Sequence, residues 1–257
     1  GLTPIIGKLY GMEKTDEIGQ KVKNSFFANM VVGVIFSLAL IILYFNLHRI
    51  GQPEELLALI RPYFIVNLIS VLFVGVFNTL KQFLDGIGNT KVAMWVMIMG
   101  NIVNIFGNWV LIYGVGPCPE MGLLGAGIST LASRVLMAVA MVGIIAGTKE
   151  YRGYRNNIIA SRINGADFRE MNRLGWPVAL QLALESGAFT LSCVMVGWLG
   201  TIPLAAHQVM ITISQLFYLV LSGMAAALAI RVSHFVGQND FAAVRGNAYD
   251  GWRLNLL

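Results

Sequence analysis

Charged side chains are scarce in this 257-residue sequence, and their scarcity excludes an ordinary soluble domain. Only 12% of the residues are Asp, Glu, Lys or Arg, whereas a soluble domain has about 25%. By contrast, 56% of the residues are hydrophobic, and they stand in long uninterrupted runs. Alternating runs would indicate a membrane barrel, so the uninterrupted ones predict an all-α integral membrane protein, a polytopic helical bundle.

Cysteine and the motifs of common enzymes are also lacking. The two cysteines, Cys118 and Cys193, give neither a disulfide framework nor the spacing of metal ligands. The sequence has no phosphate-binding loop, no Gly-rich dinucleotide turn and no Ser, His and acid group that could meet. We therefore expect a protein that is not an enzyme and carries no cofactor. The net charge of +5 lies in loops between apolar runs, which indicates membrane orientation and no nucleic-acid partner.

Apolar runs long enough to cross a bilayer alternate with short polar connections. The connections near 8–23, 81–91, 149–173 and 231–253 hold fifteen Lys and Arg residues, against two in the intervening connections. Basic loops stay in the cytoplasm, so we expect a multi-pass protein of the cell membrane, in a bacterium the inner membrane. Complete spans are predicted near 26–46, 63–83, 92–114, 123–146, 176–200 and 204–230, with partial spans at 1–10 and from Phe241.

One of these spans carries a carboxylic acid near its middle, Glu185. An acid at the bilayer centre costs about 3 kcal/mol, so it is a functional-site hypothesis by default. Gln181 and Ser192 recur at helical spacing and place polar partners on the same face. Pro177 is expected in the first turn, where its missing N–H costs little. The alternative is a Glu185 that is permanently protonated and hydrogen-bonded to a neighbouring helix.

Neutral polar side chains lie inside several other spans. Asn104 and Asn108 share one helical face, and with Asn78 and Thr130 they offer oxygen ligands for a hard cation such as sodium. The same oxygens could instead line a water-filled pocket or form hydrogen bonds between helices, worth about 0.6 kcal/mol each. Gln208 begins a further polar face in the span near 204–230. With no ATP-binding motif in the sequence, the energy source would be an ion gradient or another polypeptide.

The chain also has the marks of two related halves. The polar connection 149–173 mixes both charge signs and predicts a cytoplasmic linker, whose basic residues we attribute to topology and lipid headgroup contact. PIIGKLYGMEKTDEIGQKVKN near the start resembles IRVSHFVGQNDFAAVRGNAYD near the end, and internal repeats of this kind mark transporter folds built from two bundles. The pairs aligned at a separation of 226 residues include Gly11 with Gly237, Ile18 with Val244 and Asn24 with Asp250.

Several motifs together resemble one transporter family. The stretch that contains LGWP, the mid-span Glu185, AAHQ and RVSHFVG resembles the seventh and eighth helices of multidrug and toxic compound extrusion transporters, the MATE family. DGIGNTK, NIVNIFGNWVLIYG and GLLGAGIST resemble that family's fourth to sixth helices. The resemblance implies twelve helices in two six-helix bundles related by a pseudo-twofold axis, with this chain a fragment from the end of helix two to the start of helix nine. Residues 1–148 would then belong to the amino-terminal bundle, 149–173 to the linker and 174–257 to the carboxy-terminal bundle.

The resemblance also implies a function and a site. The family exports cationic, amphipathic drugs and toxic compounds in exchange for sodium ions or protons, so the implied partners are small organic cations and the lipid bilayer, with the transporter a monomer. Glu185 matches the helix-seven acid that takes part in cation coupling in the NorM-type branch, and Gln208 matches a cavity position on helix eight. A sodium site is expected at Glu185 or at Asn104 and Asn108. The residues that resemble the amino-terminal cation site are Asn78, Asn104, Asn108 and Thr130, with Asn108 standing where some relatives carry Asp.

Two other functions are compatible with a polytopic bundle. A lipid-linked oligosaccharide flippase of related architecture would be expected to line its cavity with basic residues, whereas Arg134 is the only Lys or Arg in the interior of a predicted span, away from its ends. A non-transporting membrane anchor or channel subunit has no use for a lone acid and polar faces on several spans. Both remain alternatives to the antiporter.

Overall fold

The structure, a computed structural model, describes residues 1–46, 54–116 and 119–256 of the chain. Within these ranges the chain is α-helical apart from short turns and one 3-10 turn, Lys149–Tyr151. Six of the described helices are long and apolar enough to cross a membrane. The prediction of an all-α polytopic membrane protein is confirmed. The helices are α1 (Leu2–Gly11), α2 (Thr15–Phe45), α3 (Glu54–Gly86), α4 (Thr90–Tyr113), α5 (Gly122–Gly147), α6 (Arg152–Ala160), α7 (Gly165–Gly197), α8 (Thr201–Gly237) and α9 (Phe241–Leu256).

Each complete span predicted from the sequence falls on one of the helices α2 to α5, α7 and α8. The helices are longer than the apolar runs, because polar segments next to a run continue the same helix. Helix α7 begins at Gly165, so the expectation that Pro177 lies in the first turn is wrong. Pro177 stands well inside the helix, where it removes one backbone hydrogen bond and favours a bend.

The chain forms two compact units. One contains Thr15–Asn164, where α5 packs against both α3 and α4, and α2 packs against α3 and α6. The other contains Gly1–Lys14 and Gly165–Leu257, where α8 packs against α1, α7 and α9. The first fourteen residues thus pack with the second half of the chain, while the boundaries of the two bundles in the full-length protein stay a prediction.

The first part of the predicted linker is ordered by one buried aromatic residue, Tyr151. Its side chain is 2% exposed, packs edge-on against Phe83, and accepts a hydrogen bond of 2.6 Å from Nδ2 of Asn89 in the α3–α4 turn. Burial raises the pKa of the Tyr151 hydroxyl, the Glu150 charge adds to this shift, and the hydrogen bond opposes it. A segment that is polar overall is thereby anchored to the ends of α3 and α4.

Helix α6 is in turn fastened to the start of α2. The ammonium group of Lys23 donates hydrogen bonds to the carbonyl oxygens of Ile159 and Ser161, at 3.1 and 2.6 Å. These carbonyls stand at the carboxyl end of α6, which is where a helix favours a cation. Asn157 also donates a hydrogen bond of 2.8 Å to Asp16. The segment between α5 and α7 is therefore a docked helix and not an extended tether.

The proposed internal repeat is visible in the backbone. Helices α1 and α8 both end in a turn whose third residue, Glu13 or Asn239, has a left-handed φ of 59° or 58°. Within the described ranges these are the non-glycine residues with positive φ. Two backbone hydrogen bonds close each turn. The outer one runs from the N–H of Lys14 to the carbonyl of Leu9, or from Asp240 to Phe235, at 3.0 Å in both. The inner one runs from Glu13 to Tyr10, or from Asn239 to Val236. This is the Schellman arrangement at a helix end, and its two copies lie 226 residues apart, as the sequence alignment predicts.

Candidate functional site

Helices α7 and α8 run antiparallel and enclose an open groove of about 690 Å³ around Glu185. Most of the lining is apolar or aromatic. The carboxylate is half-buried, while its neighbours along the groove are largely exposed. The polar groups in the lining are few, as is typical of sites for small organic molecules. The groove is lined in part by Glu185, Ser186, Phe189, Gln215, Phe217 and Tyr218.

Tyr218 lines the same groove as Glu185, on the facing helix. Its phenol is close enough to the Glu185 carboxylate for the two groups to interact electrostatically. A phenol hydroxyl can donate a hydrogen bond to a carboxylate, and such a bond is stronger than one between neutral groups. The sequence did not predict this pairing, because it depends on the register of α7 against α8, which hydropathy does not give.

The register of the two helices is fixed by a second contact near the α7–α8 turn. Ser192 Oγ lies 3.2 Å from Nε2 of His207, so His207 pairs with a hydroxyl and not with Glu185. Gln208 is at the same level, seven residues or about 10 Å along α8 from Gln215. Both Gln208 and Gln181 are exposed and lie outside the groove lining. Of the three polar residues predicted for this site, the structure places only Glu185 in the groove.

The groove has the chemistry to hold an organic cation. Glu185 supplies one negative charge, and Phe189 and Phe217 offer ring faces that attract cations as well as flat apolar groups. Among the described residues no group of three His, Cys, Asp or Glu side chains comes together. Within that part of the chain, Glu185 therefore stands apart from any cluster of acids.

The amides predicted for a second cation site form a hydrogen-bonded cluster between α4 and α5. Nδ2 of Asn104 lies 3.5, 3.4 and 3.5 Å from the hydroxyls of Ser129, Thr130 and Ser133. Asn108 donates a hydrogen bond of 3.2 Å to Oδ1 of Asn104. Oδ1 of Asn108 itself is buried without a hydrogen-bond partner. The structure thus brings together Asn104, Asn108 and Thr130, and leaves one acceptor oxygen unused.

Two of the described residues near the cluster, Asn78 and Arg134, form no part of its hydrogen-bond network. Asn78 is exposed, and none of the side-chain hydrogen bonds of the described residues joins it to Asn104 or Asn108. Arg134, one helical turn beyond Thr130, donates a hydrogen bond to the fully buried hydroxyl of Ser70. Sequence analysis missed the hydroxyls of Ser129 and Ser133, although their separation of four residues places them on one face of α5.

Comparisons with known proteins agree with this architecture. Residues 1–110 and 177–257 match the MatE family model. A probable multidrug resistance protein NorM from Photorhabdus laumondii is 30% identical over 241 residues, which are 94% of this chain and 53% of that protein. A crystal structure of MATE in complex with MaD3S superposes with a TM-score of 0.87 at 19% identity, over 99% of this chain and 56% of that one. The eukaryotic MATE transporter AtDTX14 superposes with a TM-score of 0.79 at 18% identity, over 97% of this chain and 55% of that one. The chain spans about half the length of these relatives, and at such identities the structural likeness shows the fold.

Proposed function

The chain belongs to the MatE family, and from this premise we propose that the full-length protein is a secondary active antiporter that exports cationic, amphipathic compounds in exchange for sodium ions or protons. The observation that carries the proposal is the lone carboxylate of Glu185 in an open aromatic groove. The acid supplies the charge that selects a cation, and the rings supply an apolar surface that tolerates many shapes. Such export needs no covalent step and no cofactor.

Coupling follows from competition for one carboxylate. A proton, a sodium ion or an organic cation can each neutralise Glu185, but the groove lining offers a single negative charge. Entry of one ion therefore favours release of another. If the two repeats rock against each other, the groove opens to each side of the membrane in turn, as in other transporters built from repeats.

The cluster of Asn104, Asn108 and Thr130 is the second candidate cation site. The observation that favours a cation here is Oδ1 of Asn108, a buried oxygen without a hydrogen-bond partner, because hard cations prefer oxygen ligands. Its ligands are neutral, however, and the nearby guanidinium of Arg134 would repel a cation. We therefore assign the principal coupling role to Glu185. The protein would act as a monomer in the bacterial inner membrane, with its basic loops in the cytoplasm.

The test is ethidium efflux from inverted membrane vesicles that contain the full-length protein, driven separately by an imposed sodium gradient and an imposed proton gradient. Glu185→Gln should abolish the coupled flux under whichever gradient drives it, because the amide cannot exchange a charge. Glu120→Gln, which neutralises an exposed acid in a loop, is the matched control and should leave the flux unchanged. Absence of efflux under both gradients, or normal efflux by Glu185→Gln, would refute the proposal.

A further inference from the structure

A second cavity, of about 200 Å³, lies between α8 and α9. Both helices belong to the same compact unit. Each helix contributes one face, because the lining residues recur at intervals of three or four along it. These residues are Met224, Ala227, Leu228 and Arg231 on α8, and Asn247, Asp250 and Gly251 on α9. The lining thus combines two opposite charges and an amide with an apolar surface.

The two charged groups of this cavity do not neutralise each other. Arg231 and Asp250 are both exposed, and none of the ion pairs and hydrogen bonds among the described residues involves either side chain. Asn247 donates a hydrogen bond of 2.9 Å from Nδ2 to the carbonyl oxygen of Ala243, which leaves Oδ1 of Asn247 as an acceptor. The cavity therefore presents a guanidinium, a carboxylate and an amide oxygen to a ligand.

The apolar part of the lining extends from Arg231 into the predicted span near 204–230. Arg231 directly follows that span, at the level where basic side chains meet lipid headgroups. Leu228 lies about one turn earlier on the same face of α8, and Met224 lies a further turn in. Leu228 also packs on the backbone of α9, since a Cβ atom built on Gly251 would collide with its side chain. On this placement, the cavity joins the headgroup region of the membrane to its apolar interior.

We propose that this cavity binds the headgroup of phosphatidylethanolamine, a phospholipid that carries a phosphate and a primary ammonium group. The planar guanidinium of Arg231 matches two phosphate oxygens. The carboxylate of Asp250 and Oδ1 of Asn247 accept hydrogen bonds from the ammonium group. A choline headgroup has no N–H donor, so it would leave both acceptors unpaired. The apolar face of α8 favours a lipid over a soluble phosphate ester, because it offers contact to an acyl chain.

Binding of defined lipids by the full-length protein in detergent tests this site. Short-chain phosphatidylethanolamine or phosphatidylcholine is titrated, and the Kd is obtained from the rise of the unfolding temperature with lipid concentration. The wild type should bind phosphatidylethanolamine at least about tenfold more tightly, because only this headgroup satisfies both acceptors. Asp250→Asn should reduce that preference to less than about threefold, because the charge-assisted hydrogen bonds to the ammonium group are lost. Arg231→Gln should weaken the binding of both lipids at least about tenfold, because both carry the phosphate.

Arg245→Gln is the matched control, because Arg245 is an exposed arginine of α9 outside the cavity lining, and it should leave both Kd values unchanged. Glycerophosphoethanolamine has the same headgroup without acyl chains and should bind at least about tenfold more weakly than the lipid. The variants change exposed side chains, so their unfolding temperatures without lipid should match that of the wild type. Equal affinity of the wild type for the two lipids, an unchanged preference in Asp250→Asn, or equally tight binding of glycerophosphoethanolamine would overturn the proposal.

Discussion

The groove between α7 and α8 and the cluster between α4 and α5 are both polar regions within apolar helices, yet they are built in opposite ways. In the cluster, the hydroxyls of Thr130 and Ser133 donate to backbone carbonyl oxygens and also lie within 3.5 Å of Nδ2 of Asn104. In the groove, Glu185 and the Tyr218 phenol line an open space together with the rings of Phe189 and Phe217. A polar group in a span can thus stabilise the packing of two helices or remain available to a ligand.

The difference follows from how hydrogen-bonding capacity is used. Buried polar groups are satisfied because an unpaired one is costly, and the cluster meets this requirement internally except at Oδ1 of Asn108. A carboxylate offers more acceptor sites than one phenol hydroxyl can fill. We infer that unused capacity, combined with space for a ligand, separates a binding site from a packing motif. Four predictions test that distinction.

The largest effect is expected on ligand affinity. Glu185→Gln in the full-length protein should weaken ethidium binding at least about tenfold, since a charged interaction of about 1.4 kcal/mol or more is lost. Asn108→Ala should change the affinity less than about twofold, a difference of about 0.4 kcal/mol. Fluorescence titration in detergent measures both. Equal losses in the two variants would show that the cluster also contacts the ligand.

Substitutions in the cluster should lower the free energy of unfolding more than substitutions in the groove, which is the reverse of their effects on ligand affinity. Asn104→Ala should lower the free energy of unfolding by about 1–3 kcal/mol, because it removes the amide that the hydroxyls share and takes away the acceptor of Nδ2 of Asn108. Glu185→Gln should change stability little, since the groove is open and the side chain is half-buried. Asn78→Ala is the matched control for Asn104→Ala, because Asn78 is exposed, and should stay within about 0.5 kcal/mol of the wild type. Urea titration of the full-length protein reports these values.

Sodium ions should distinguish the two candidate cation sites. If sodium is the coupling ion, a concentration of ten times its Kd should stabilise the wild type by about 1.4 kcal/mol. That increment should vanish in Glu185→Gln and persist in Asn108→Ala, as measured by thermal unfolding with potassium at equal ionic strength as the control. The opposite pattern would move the sodium site to the cluster. If the unfolding temperature changes with pH but not with sodium, the proton is the coupling ion.

The smallest effect is expected from the partner of the acid. Tyr218→Phe keeps the ring in the groove and removes one hydroxyl, so ethidium affinity should fall about threefold, consistent with one hydrogen bond of about 0.6 kcal/mol. Tyr249→Phe removes a hydroxyl from an exposed tyrosine outside the groove and should have no effect. A loss as large as that of Glu185→Gln would mean that Tyr218 contacts the ligand directly.

Much of the fold could be predicted, because a bilayer demands long apolar helices and their number and order follow from hydropathy. The true helix ends could not, since polar segments such as Thr15–Lys23 continue a helix without leaving a hydropathy signal. The docked α6 was also missed. The position of α6 depends on the contacts of Tyr151 with Phe83 and Asn89. Contacts between residues so far apart in the sequence cannot be predicted from local composition.

The site divides in the same way. Glu185 stands out in the sequence because an acid in a span is rare, and the structure brings Asn104, Asn108 and Thr130 together, although their role as a cation site stays a prediction. Gln181 and Gln208 were grouped with the acid by residue type and periodicity, but neither lines the groove, and the residue that contacts Ser192 across the two helices is His207. Periodicity shows which residues share a face of one helix, whereas a site between two helices also depends on their register along the helix axis.

The two Schellman turns are more alike in their backbone than in their sequence. Over the aligned segments 4–24 and 230–250, Gly11 and Gly237 are the only identical pair, yet the hydrogen bonds and the left-handed residue of both turns are the same. Backbone hydrogen bonds tolerate almost any side chain, so substitutions could change the surface of each half while the turn persisted. The likeness of the two halves is therefore clearer in the backbone dihedral angles of these turns than in their residues.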